Sequence, residues 1–303
     1  MVSTCIERTG ALTPPQRLAV EGLVAAVALH DEVRPLNEQA MFALAGRGHV
    51  VHWLAWSGRT LVGYAQADRD EHSVQLLVHP EHRRQGIASQ LAEQVAKVER
   101  TPTWWAFGRL PGADQVARTT GAALGRELLV MERDLVALPP VAEAAPEGVV
   151  IRSFQPGDRD ALLEVNALAF SHHPEQGEMG PEDFERRTQE AWFDPAGLLV
   201  AADDETGAFL GFHWTKTDHM DPAEPAELLG EVYVIGVHPD AAGRGIGRAL
   251  LSAGLAHLAD KGVRRVRLYV EASERRVVTM YLSAGFVEIT RDASYTTSAK
   301  DTL

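Results

Sequence analysis

The stretch Val237-His238-Pro239-Asp240-Ala241-Ala242-Gly243-Arg244-Gly245-Ile246-Gly247-Arg248-Ala249-Leu250-Leu251 decides the fold of this chain. Ahead of it, residues 232–237 form an apolar run rich in β-branched residues, which predicts a strand that stops at Pro239. After it, leucines recur at helical spacing and predict a helix that begins near Gly247. A glycine-rich turn that opens a helix presents convergent backbone N–H groups, and such a turn suits a phosphate.

The spacing of the glycines narrows the choice of phosphate site. A Walker loop ends in Gly-Lys-Ser/Thr and a dinucleotide fingerprint reads G-x-G-x-x-G, and this stretch follows neither pattern. The alternative is a glycine-rich connection without a ligand. A second copy favours the ligand: sliding the chain on itself places Val78-His79-Pro80 on Val237-His238-Pro239 and Gly86-Ile87 on Gly245-Ile246. This pattern predicts a tandem duplication with one copy in each domain.

Length and composition limit the class of protein. The 303 residues are about twice a common domain size, so we expect two domains. The single cysteine, Cys5, excludes internal disulfides and thiolate-based metal clusters and fits a reducing cytoplasm. A net charge of −13 argues against a nucleic-acid partner, which needs a broad basic face. The sequence has no membrane-spanning run and no signal-peptide pattern, so we expect a cytoplasmic chain, and a monomer.

The same order of elements occurs twice along the chain. Residues 137–148 contain three prolines among small residues and predict a linker between domains at 1–136 and 149–303. Apolar periodicity and turn residues predict the elements themselves. The first domain has helices over 14–29, 38–45 and 89–99 and strands over 50–56, 60–67 and 74–78; the second has strands over 149–152, 198–201, 209–216, 232–237 and 266–270, and helices over 158–169 and from 247.

The repeated motif resembles the pyrophosphate loop, Q/R-x-x-G-x-G/A, of the GNAT superfamily of acetyl-CoA-dependent N-acetyltransferases. The first copy fits in full, whereas the second has Ala242 in place of the first polar residue. The resemblance implies an α/β fold of two tandem GNAT domains, each a mixed, mostly antiparallel sheet flanked by helices. It implies acetyl-CoA as cosubstrate and no metal. Local positive charge for this anionic ligand is available from Arg83, Arg84, Arg244 and Arg248.

Acetyl transfer from a thioester to an amine needs a base for the amine, an acid for the leaving thiolate and a donor for the oxyanion. Glu231, on the strand before the loop, is the candidate base. Tyr281, in a string that resembles the closing motif of the family, is the candidate acid, and backbone N–H groups near Val237 are the candidate oxyanion donors. The alternatives are a solvated edge charge for Glu231 and core packing for Tyr281.

The first copy differs at both catalytic positions. It has His72 where the second copy has Glu231, and Ala117 where the second copy has Tyr281. The sequence therefore predicts that the first domain binds acetyl-CoA or CoA without turnover.

Four longer strings narrow the resemblance to one family of that superfamily. They are similar to strings of the mycothiol synthases and comprise residues 173–177, 190–195, 210–216 and 230–234. This family acetylates the cysteinyl amine of cysteinyl-glucosaminyl-inositol, so the resemblance implies that acceptor. It also implies acceptor contacts from both domains, which would place the site partly between them: Glu38, Glu175, Lys216, Glu231 and Tyr269. Carboxylates in such a set bind an ammonium group and accept its proton.

The same resemblance implies which residues contact CoA. In the first domain they are Leu77, Val78, His79, Gln85, Gly86, Ile87, Ala88, Ser89 and Gln90. In the second domain they are Ile235, Gly236, Val237, Ala242, Gly243, Arg244, Gly245, Ile246, Gly247, Arg248, Glu274, Arg275, Arg276, Val277, Val278 and Thr279. Glu274 departs from the family pattern, which has Asn near this position. Two rival interpretations remain open: a GNAT enzyme for another small amine, and a non-catalytic acetyl-CoA-binding module.

Overall fold

The computed structural model describes residues 4–46, 48–140, 143–172, 174–221 and 224–297. The chain divides into two compact units. Unit 1 contains the residues up to 129, residues 271–273 and the residues from 290 onward, and unit 2 contains residues 130–270 and 274–289. Residues 271–273 and 290–297 thus belong to unit 1 although residues of unit 2 precede them in the chain, and unit 2 begins at residue 130, ahead of the predicted linker. The domain boundaries drawn around residues 137–148 stay a prediction.

Unit 1 is a mixed, mostly antiparallel sheet with helices on both faces. Its strands follow the order β1-β2-β3-β4-β5, with β4 and β5 parallel, and β5 pairs antiparallel with residues 293–296 of the last strand. The elements that begin in this half are β1 Thr4–Thr9, α1 Pro14–Asp31, α2 Glu38–Leu44, β2 Val50–Ser57, β3 Thr60–Asp68, β4 Ser73–Val78, α3 Ile87–Ala96, β5 Thr103–Ala106, α4 Ala113–Thr119 and β6 Ala122–Asp134.

Unit 2 repeats this architecture. Its strands follow the order β6-β11-β10-β9-β8-β7, where β10 and β11 are parallel and β7 to β10 are antiparallel. The elements are β7 Val149–Ser153, α5 Arg159–Ala169, α6 Pro174–Gly177, α7 Pro181–Thr188, β8 Leu198–Asp203, β9 Phe209–Asp221, β10 Glu224–Val237, α8 Ile246–Asp260, β11 Arg265–Glu271, α9 Arg275–Ser283 and β12 Val287–Thr297. The predicted α/β class and the mixed sheets are confirmed.

Local sequence explains where the helices begin. The predicted start of α1 is confirmed: Pro14 occupies the first turn, and the Thr13 backbone N–H donates to the Gln16 side chain at 2.9 Å. The helix then buries Val20, Leu23 and Val27 at helical spacing against unit 1's sheet. Most predicted strands and helices agree with the structure to within a few residues, and β9 and β10 extend beyond their predicted bounds.

Strand alternation builds two cores in unit 2, one on each face of the sheet. Phe212, Trp214 and Val234 are buried in the core that also contains Leu162 and Val165 of α5. Residues of opposite parity, including Ile235 and Val237, pack with Ile246 and Leu250 of α8, so the sheet lies between the two helical layers. Among the described residues, no helix combines the length and the apolarity needed to cross a bilayer.

Candidate active site

The glycine-rich loop of unit 2 ends on the N-terminus of α8. Gly245 caps the helix with a φ of 84°, and Gly243 has a φ of 82°, a left-handed conformation that glycine adopts without strain. The first intrahelical bond runs from the Ala249 N–H to the Gly245 carbonyl at 3.1 Å. The N–H groups of residues 246–248 therefore precede the helical ladder. They form, with the helix dipole, an anion-binding terminus that fits a pyrophosphate.

A histidine fixes the start of this loop. The His238 backbone N–H donates to the Leu210 carbonyl at 2.8 Å, and its ring Nδ1 accepts from the Asp240 N–H at 3.2 Å. In unit 1, His79 makes the same two contacts, with the Val62 carbonyl at 2.9 Å and the Glu81 N–H at 3.3 Å. The repeated string thus has a structural reason: the histidine ties the strand end to the loop in both copies.

The loop of unit 1 has the same shape as that of unit 2 and a different chemistry. Gly86 caps α3 with a φ of 82°, and the Gln90 N–H donates to its carbonyl at 3.0 Å. Arg84, with a φ of 61°, holds a left-handed conformation at the position equivalent to Gly243. A side chain there costs about 1 kcal/mol of conformational strain. Unit 1 therefore keeps the loop conformation of unit 2 although Arg84 adds conformational strain.

Arg83 is engaged within the protein, in contrast to its predicted role as free positive charge for the ligand. Its guanidinium donates two hydrogen bonds to the Asp31 carboxylate, at 2.7 and 2.6 Å, and a third to the Val78 carbonyl at 3.1 Å. This bidentate pair neutralises the arginine charge and ties α1 to the end of β4. The first polar residue of the loop pattern is structural in unit 1, which explains why Ala242 is compatible with the same loop in unit 2.

Two parallel strands diverge beside the loop of each unit. In unit 2, β10 and β11 pair from Leu229–Arg265 to Glu231–Arg267, and among the described residues the ladder ends there although both strands continue. In unit 1, the β4–β5 ladder likewise ends at Gln75–Trp105. Backbone polar groups beyond the end of a ladder can bind a ligand, and in each unit the first of the two strands runs on to the loop before the helix N-terminus.

The strand that leads into the loop contains a β-bulge in unit 2, and among the described residues the equivalent strand of unit 1 contains none. The register of β10 with β9 shifts between Val232 and Val234, whereas the β3–β4 register is continuous from Gly63–Val78 to Asp68–Ser73. The bulge places two consecutive side chains, Tyr233 and Val234, in the same core. Bulges redirect side chains and are common beside active sites.

Glu231 lies where the parallel ladder ends. It pairs across β9 with Lys216 and across β11 with Arg267, so these three side chains belong to the same face of the sheet. Lys216 is 6% exposed and Glu231 is half-buried. The guanidinium of Arg267 donates to Glu132 of β6 at 3.0 Å. The predicted base therefore lies between two cationic side chains in a partly desolvated position.

Tyr269 extends this face beyond the end of the ladder. It lies two residues after Arg267 on β11 and is 48% exposed. The structure therefore places three of the predicted acceptor contacts, Lys216, Glu231 and Tyr269, on the same sheet face near the point where the strands diverge.

The side chains of Glu38 and Glu175 lie outside the described residues. Their backbones are at the start of α2 and within α6. The position of α6 is fixed by Asn166, whose amide donates to the Gln176 carbonyl at 2.6 Å and accepts from the Gln176 side chain at 3.0 Å.

Tyr281, the predicted acid, is buried in α9. Its ring contacts Phe286 edge to face at 5.7 Å between centroids. Burial raises the pKa of the Tyr281 phenol above its ordinary value, so the hydroxyl keeps its proton. A Cβ built on Gly247 would lie 3.6 Å from Val237 and 3.8 Å from the Met280 sulfur, which places α9 beside the loop and the strand end.

The remaining predicted CoA contacts lie at the two strand ends, in the two loops with their helix N-termini, and on α9. In unit 1, residues 77–79 end β4 and residues 85–90 form the loop and first turn of α3; in unit 2, residues 235–237 end β10, residues 242–248 form the loop, and residues 274–279 are the cap and first half of α9. Glu274, the departure from the family pattern, is the N-cap residue of α9. Metal was not expected, and the described residues contain no group of three or more His, Cys, Asp or Glu that could hold an ion.

Sequence reasoning missed Arg133, which fixes the end of α9. This buried arginine of β6 donates to the Ala284 carbonyl at 2.5 Å and to the Leu138 and Pro139 carbonyls at 2.9 and 3.2 Å. A guanidinium at a helix C-terminus satisfies the last carbonyls and complements the helix dipole. Arg133 is distant in sequence from Ala284, and a lone arginine near a linker gives no signal of the contact.

Comparison with known proteins agrees with this geometry. The model of the acetyltransferase (GNAT) family matches residues 163–286, and a second acetyltransferase (GNAT) domain model matches residues 23–101. Among solved structures, a GCN5-related N-acetyltransferase from Sphaerobacter thermophilus is similar with a TM-score of 0.74 and 25% identity, covering 96% of this chain and 95% of that chain. A tandem GNAT protein from the clavulanic acid biosynthesis pathway has the same fold, with a TM-score of 0.72, 20% identity and coverage of 99% and 100%.

Curated relatives match over nearly the whole chain. The mycothiol acetyltransferase of Propionibacterium freudenreichii is 47% identical over 94% of this chain and 89% of the relative. That of Cellulomonas flavigena is 44% identical over 94% of this chain and 87% of the relative, and that of Streptomyces coelicolor is 41% identical over 96% and 95%.

Proposed function

Because the chain belongs to the mycothiol acetyltransferase family, we propose that it transfers the acetyl group of acetyl-CoA to the cysteinyl amine of cysteinyl-glucosaminyl-inositol. The observation that carries the proposal is the combination in unit 2 of a diverging strand pair, a β-bulge and Glu231 at the end of the parallel ladder. Full-length similarity to mycothiol acetyltransferases supports the acceptor.

The residues around the loop fit an acetyl-CoA molecule. The backbone N–H groups of residues 246–248 and the charge of Arg244 and Arg248 would hold the pyrophosphate, and the strand end at residues 235–237 would lie along the pantetheine arm. Residues 274–279, including Glu274 as the cap of α9, complete the proposed set. When bound, this cosubstrate supplies an acetyl thioester, the activated acyl group that the amine attacks.

Glu231 is the proposed general base. A carboxylate beside the acceptor amine binds its ammonium form, accepts one proton and leaves a nucleophilic nitrogen. Lys216 and Arg267 are its cross-strand partners in register. The amine nitrogen then bonds to the acetyl carbon, and backbone N–H groups near Val237 stabilise the charge on the carbonyl oxygen.

Tyr281 is the proposed general acid. Because burial keeps its phenol neutral, the hydroxyl has a proton to give to the sulfur when the carbon–sulfur bond breaks. Arg133 maintains the position of α9 and, through it, of this phenol.

The acceptor is a polyhydroxylated sugar that carries a cysteine, so it needs several hydrogen-bonding groups. Lys216, Glu231 and Tyr269 on the shared face of unit 2, with Glu175 and Glu38, are the proposed contacts. The ammonium of Lys216 donates to hydroxyl oxygens, and the carboxylates accept from hydroxyl and ammonium groups.

Unit 1 is proposed to hold acetyl-CoA or CoA without turnover. The proposed contacts are the strand end at residues 77–79 and the loop at residues 85–90. Its continuous β3–β4 register and the buried Ala117 in place of Tyr281 support a site that binds and does not react. We further propose that the protein works in the cytoplasm and that it is a monomer. Light scattering coupled to gel filtration would test the oligomeric state.

The test is thiol release from acetyl-CoA with cysteinyl-glucosaminyl-inositol as the acceptor. Glu231→Gln and Tyr281→Phe are nearly isosteric and remove one proton-transfer group each. We expect parent turnover and a fall in kcat of about 100-fold or more in each variant. Turnover with another amine, and none with this acceptor, would overturn the acceptor assignment and keep the acetyltransferase.

A further inference from the structure

A buried lysine in unit 2 lies against two aromatic rings. The Lys216 ammonium is 5.0 Å from the centroid of the Trp192 ring and 5.5 Å from that of Tyr233. The two rings contact each other at 4.9 Å with an interplanar angle of 61°. An ammonium is costly to bury, and the faces of aromatic rings are among the few apolar surfaces that attract it. The aromatic pair, Trp192 and Tyr233, thus allows a cation to lie in a nearly dry position.

Strand alternation places Tyr233 on the face of this lysine. Tyr233 lies two residues after Glu231, which pairs with Lys216 across β9. The register shift between Val232 and Val234 makes Tyr233 the extra residue of the bulge and turns Val234 into the same core.

Trp192 is fixed from the opposite side. Its ring contacts that of Trp214 of β9 in a tilted arrangement, with 6.0 Å between centroids and an interplanar angle of 52°. Two residues on, Asp194 accepts from the Ala196 N–H at 3.0 Å and pairs with Lys261 at 2.6 Å. The segment before β8 is thereby anchored to the end of α8, and Trp192 keeps a defined orientation.

We infer that Trp192 and Tyr233 are positioning residues, which hold the Lys216 ammonium beside Glu231 so that it can donate to the acceptor. The inference rests on the proposed function because it assigns Lys216 to acceptor binding. A ring face attracts the charge of an ammonium, and a lysine ammonium has three N–H donors, so the same group can be held by the rings and donate to a hydroxyl oxygen.

The described strands of unit 1 have no counterpart of the Tyr233 ring. Counting back from Gly63–Val78 and Gly211–Val237, Val74 pairs with Ala67 as Val232 pairs with Thr215, so Val74 matches Val232. The extra residue Tyr233 has no equivalent in the continuous β3–β4 register of the unit that is proposed to bind without turnover.

A double-mutant cycle tests the inference. Trp192→Leu and Tyr233→Leu remove the ring faces, Lys216→Met removes the ammonium, and each pair is combined. We expect each leucine variant to raise the acceptor KM by about 10- to 30-fold and to leave the acetyl-CoA KM unchanged. In the Lys216→Met background the same leucine substitutions should raise the acceptor KM by less than about 3-fold, because the cation they position is absent.

Two further variants separate positioning from packing. Tyr233→Phe keeps the ring and should restore most of the catalytic efficiency that Tyr233→Leu loses. Phe184→Leu removes a buried ring of the same core, one that contacts Phe154 and Trp214, and should lower stability without a specific rise in acceptor KM. If the leucine variants do not fold, Trp192→Met and Tyr233→Met, which remove the ring face with a flexible apolar side chain, replace them in the same cycle.

The outcomes distinguish the inference from the function on which it rests. If the parent turns over and the leucine substitutions act equally with and without Lys216, the inference is overturned and the proposed function stands. If the parent acetylates a different amine only, the proposed acceptor is wrong, and the cycle is run with that amine under the same criterion. Absence of turnover with every amine would overturn both.

Discussion

At the scale of single residues, burial determines the protonation state of Tyr281, the proposed general acid. Tyr281 is enclosed in unit 2's core beside Phe286, and the loss of solvent disfavours its phenolate. A proton donor for a leaving thiolate has to remain neutral at working pH. The position of Tyr281 achieves this by desolvation, because a raised pKa keeps the phenol protonated.

This gives a prediction for the pH profile of the parent enzyme. Since the pKa of Tyr281 is raised, the acid keeps its proton through the alkaline range, and kcat should show no fall assigned to this group between about pH 7.5 and 9.5. The measurement is kcat against pH at saturating substrates. An alkaline limb below pH 9 that disappears in Tyr281→Phe would contradict the assignment of a buried, neutral acid.

A second buried group makes stability depend on pH. Desolvation lowers the pKa of fully buried His213 to about 4, and its Nδ1 contacts the Leu250 carbonyl at 2.9 Å. The unfolded chain binds a proton near pH 6.5, whereas the native histidine stays neutral. The unfolded state therefore binds more protons in this range, and the free energy of unfolding falls as pH decreases from about 6.5 to about 4.

We expect His213→Gln to weaken this pH dependence. Urea unfolding at pH 7 and at pH 5 should show a smaller loss of stability in the variant than in the parent, because a histidine with a strongly lowered pKa is gone. His52, which has a pKa of about 4, accounts for a remaining part of the dependence. Equal losses in parent and variant would contradict a neutral native His213.

At the scale of elements, the loop and helix N-terminus is the feature that unites both units. Gly245 needs its left-handed conformation for the chain to turn from β10 into α8. Gly262, just after α8 and its C-cap Lys261, has a φ of 82° and open space around it. The two glycines carry similar conformational demands at opposite ends of the same helix.

This pair supplies a matched test of the anion site. Gly245→Ala and Gly262→Ala should each reduce stability by about 1 kcal/mol, because each puts a Cβ at positive φ. Gly245→Ala alone should raise the KM for acetyl-CoA, since it also displaces the N–H groups of the first helical turn. Equal effects on this KM in both variants would contradict the assignment of the loop to the pyrophosphate.

The sequence predicted those elements that depend on local patterns and missed features that depend on contacts between distant residues. Apolar runs, prolines and glycines predicted eight of the twelve strands that the structure describes and the loop with its helix, because these depend on local conformation and periodicity. Strands β1, β5, β6 and β12 were not among the predicted ones. The β-bulge at residues 232–234 was not predicted, since an apolar run gives no sign of a change in register. The role of Arg133 and the aromatic pair on Lys216 depends on contacts between distant parts of the chain. Glu231 and Tyr281 could be named because they belong to a family pattern.

At the scale of the whole molecule, the duplication gives each unit a loop and helix N-terminus that can bind a pyrophosphate. The groups proposed for catalysis belong to unit 2. Both units have a capped helix behind diverging parallel strands. Among the described residues, the bulge and the buried Tyr281 belong to unit 2. From this asymmetry we propose two bound nucleotides and one reactive site.

Binding stoichiometry tests this division. Equilibrium dialysis should detect about two CoA or acetyl-CoA molecules per chain in the parent and in Tyr281→Phe. Ser89→Glu places a negative charge in the first turn of α3 and should reduce the number to one, because it repels the pyrophosphate of unit 1. A parent that binds a single nucleotide would contradict the proposed role of unit 1.

The most direct test of the account is thiol release from acetyl-CoA with cysteinyl-glucosaminyl-inositol, compared among the parent, Glu231→Gln and Tyr281→Phe. The account predicts steady turnover by the parent and a loss of about 100-fold or more in kcat for each folded variant. Variants that react as fast as the parent would contradict the catalytic assignment, and a parent that binds acetyl-CoA without acetylating this amine would contradict the proposed function.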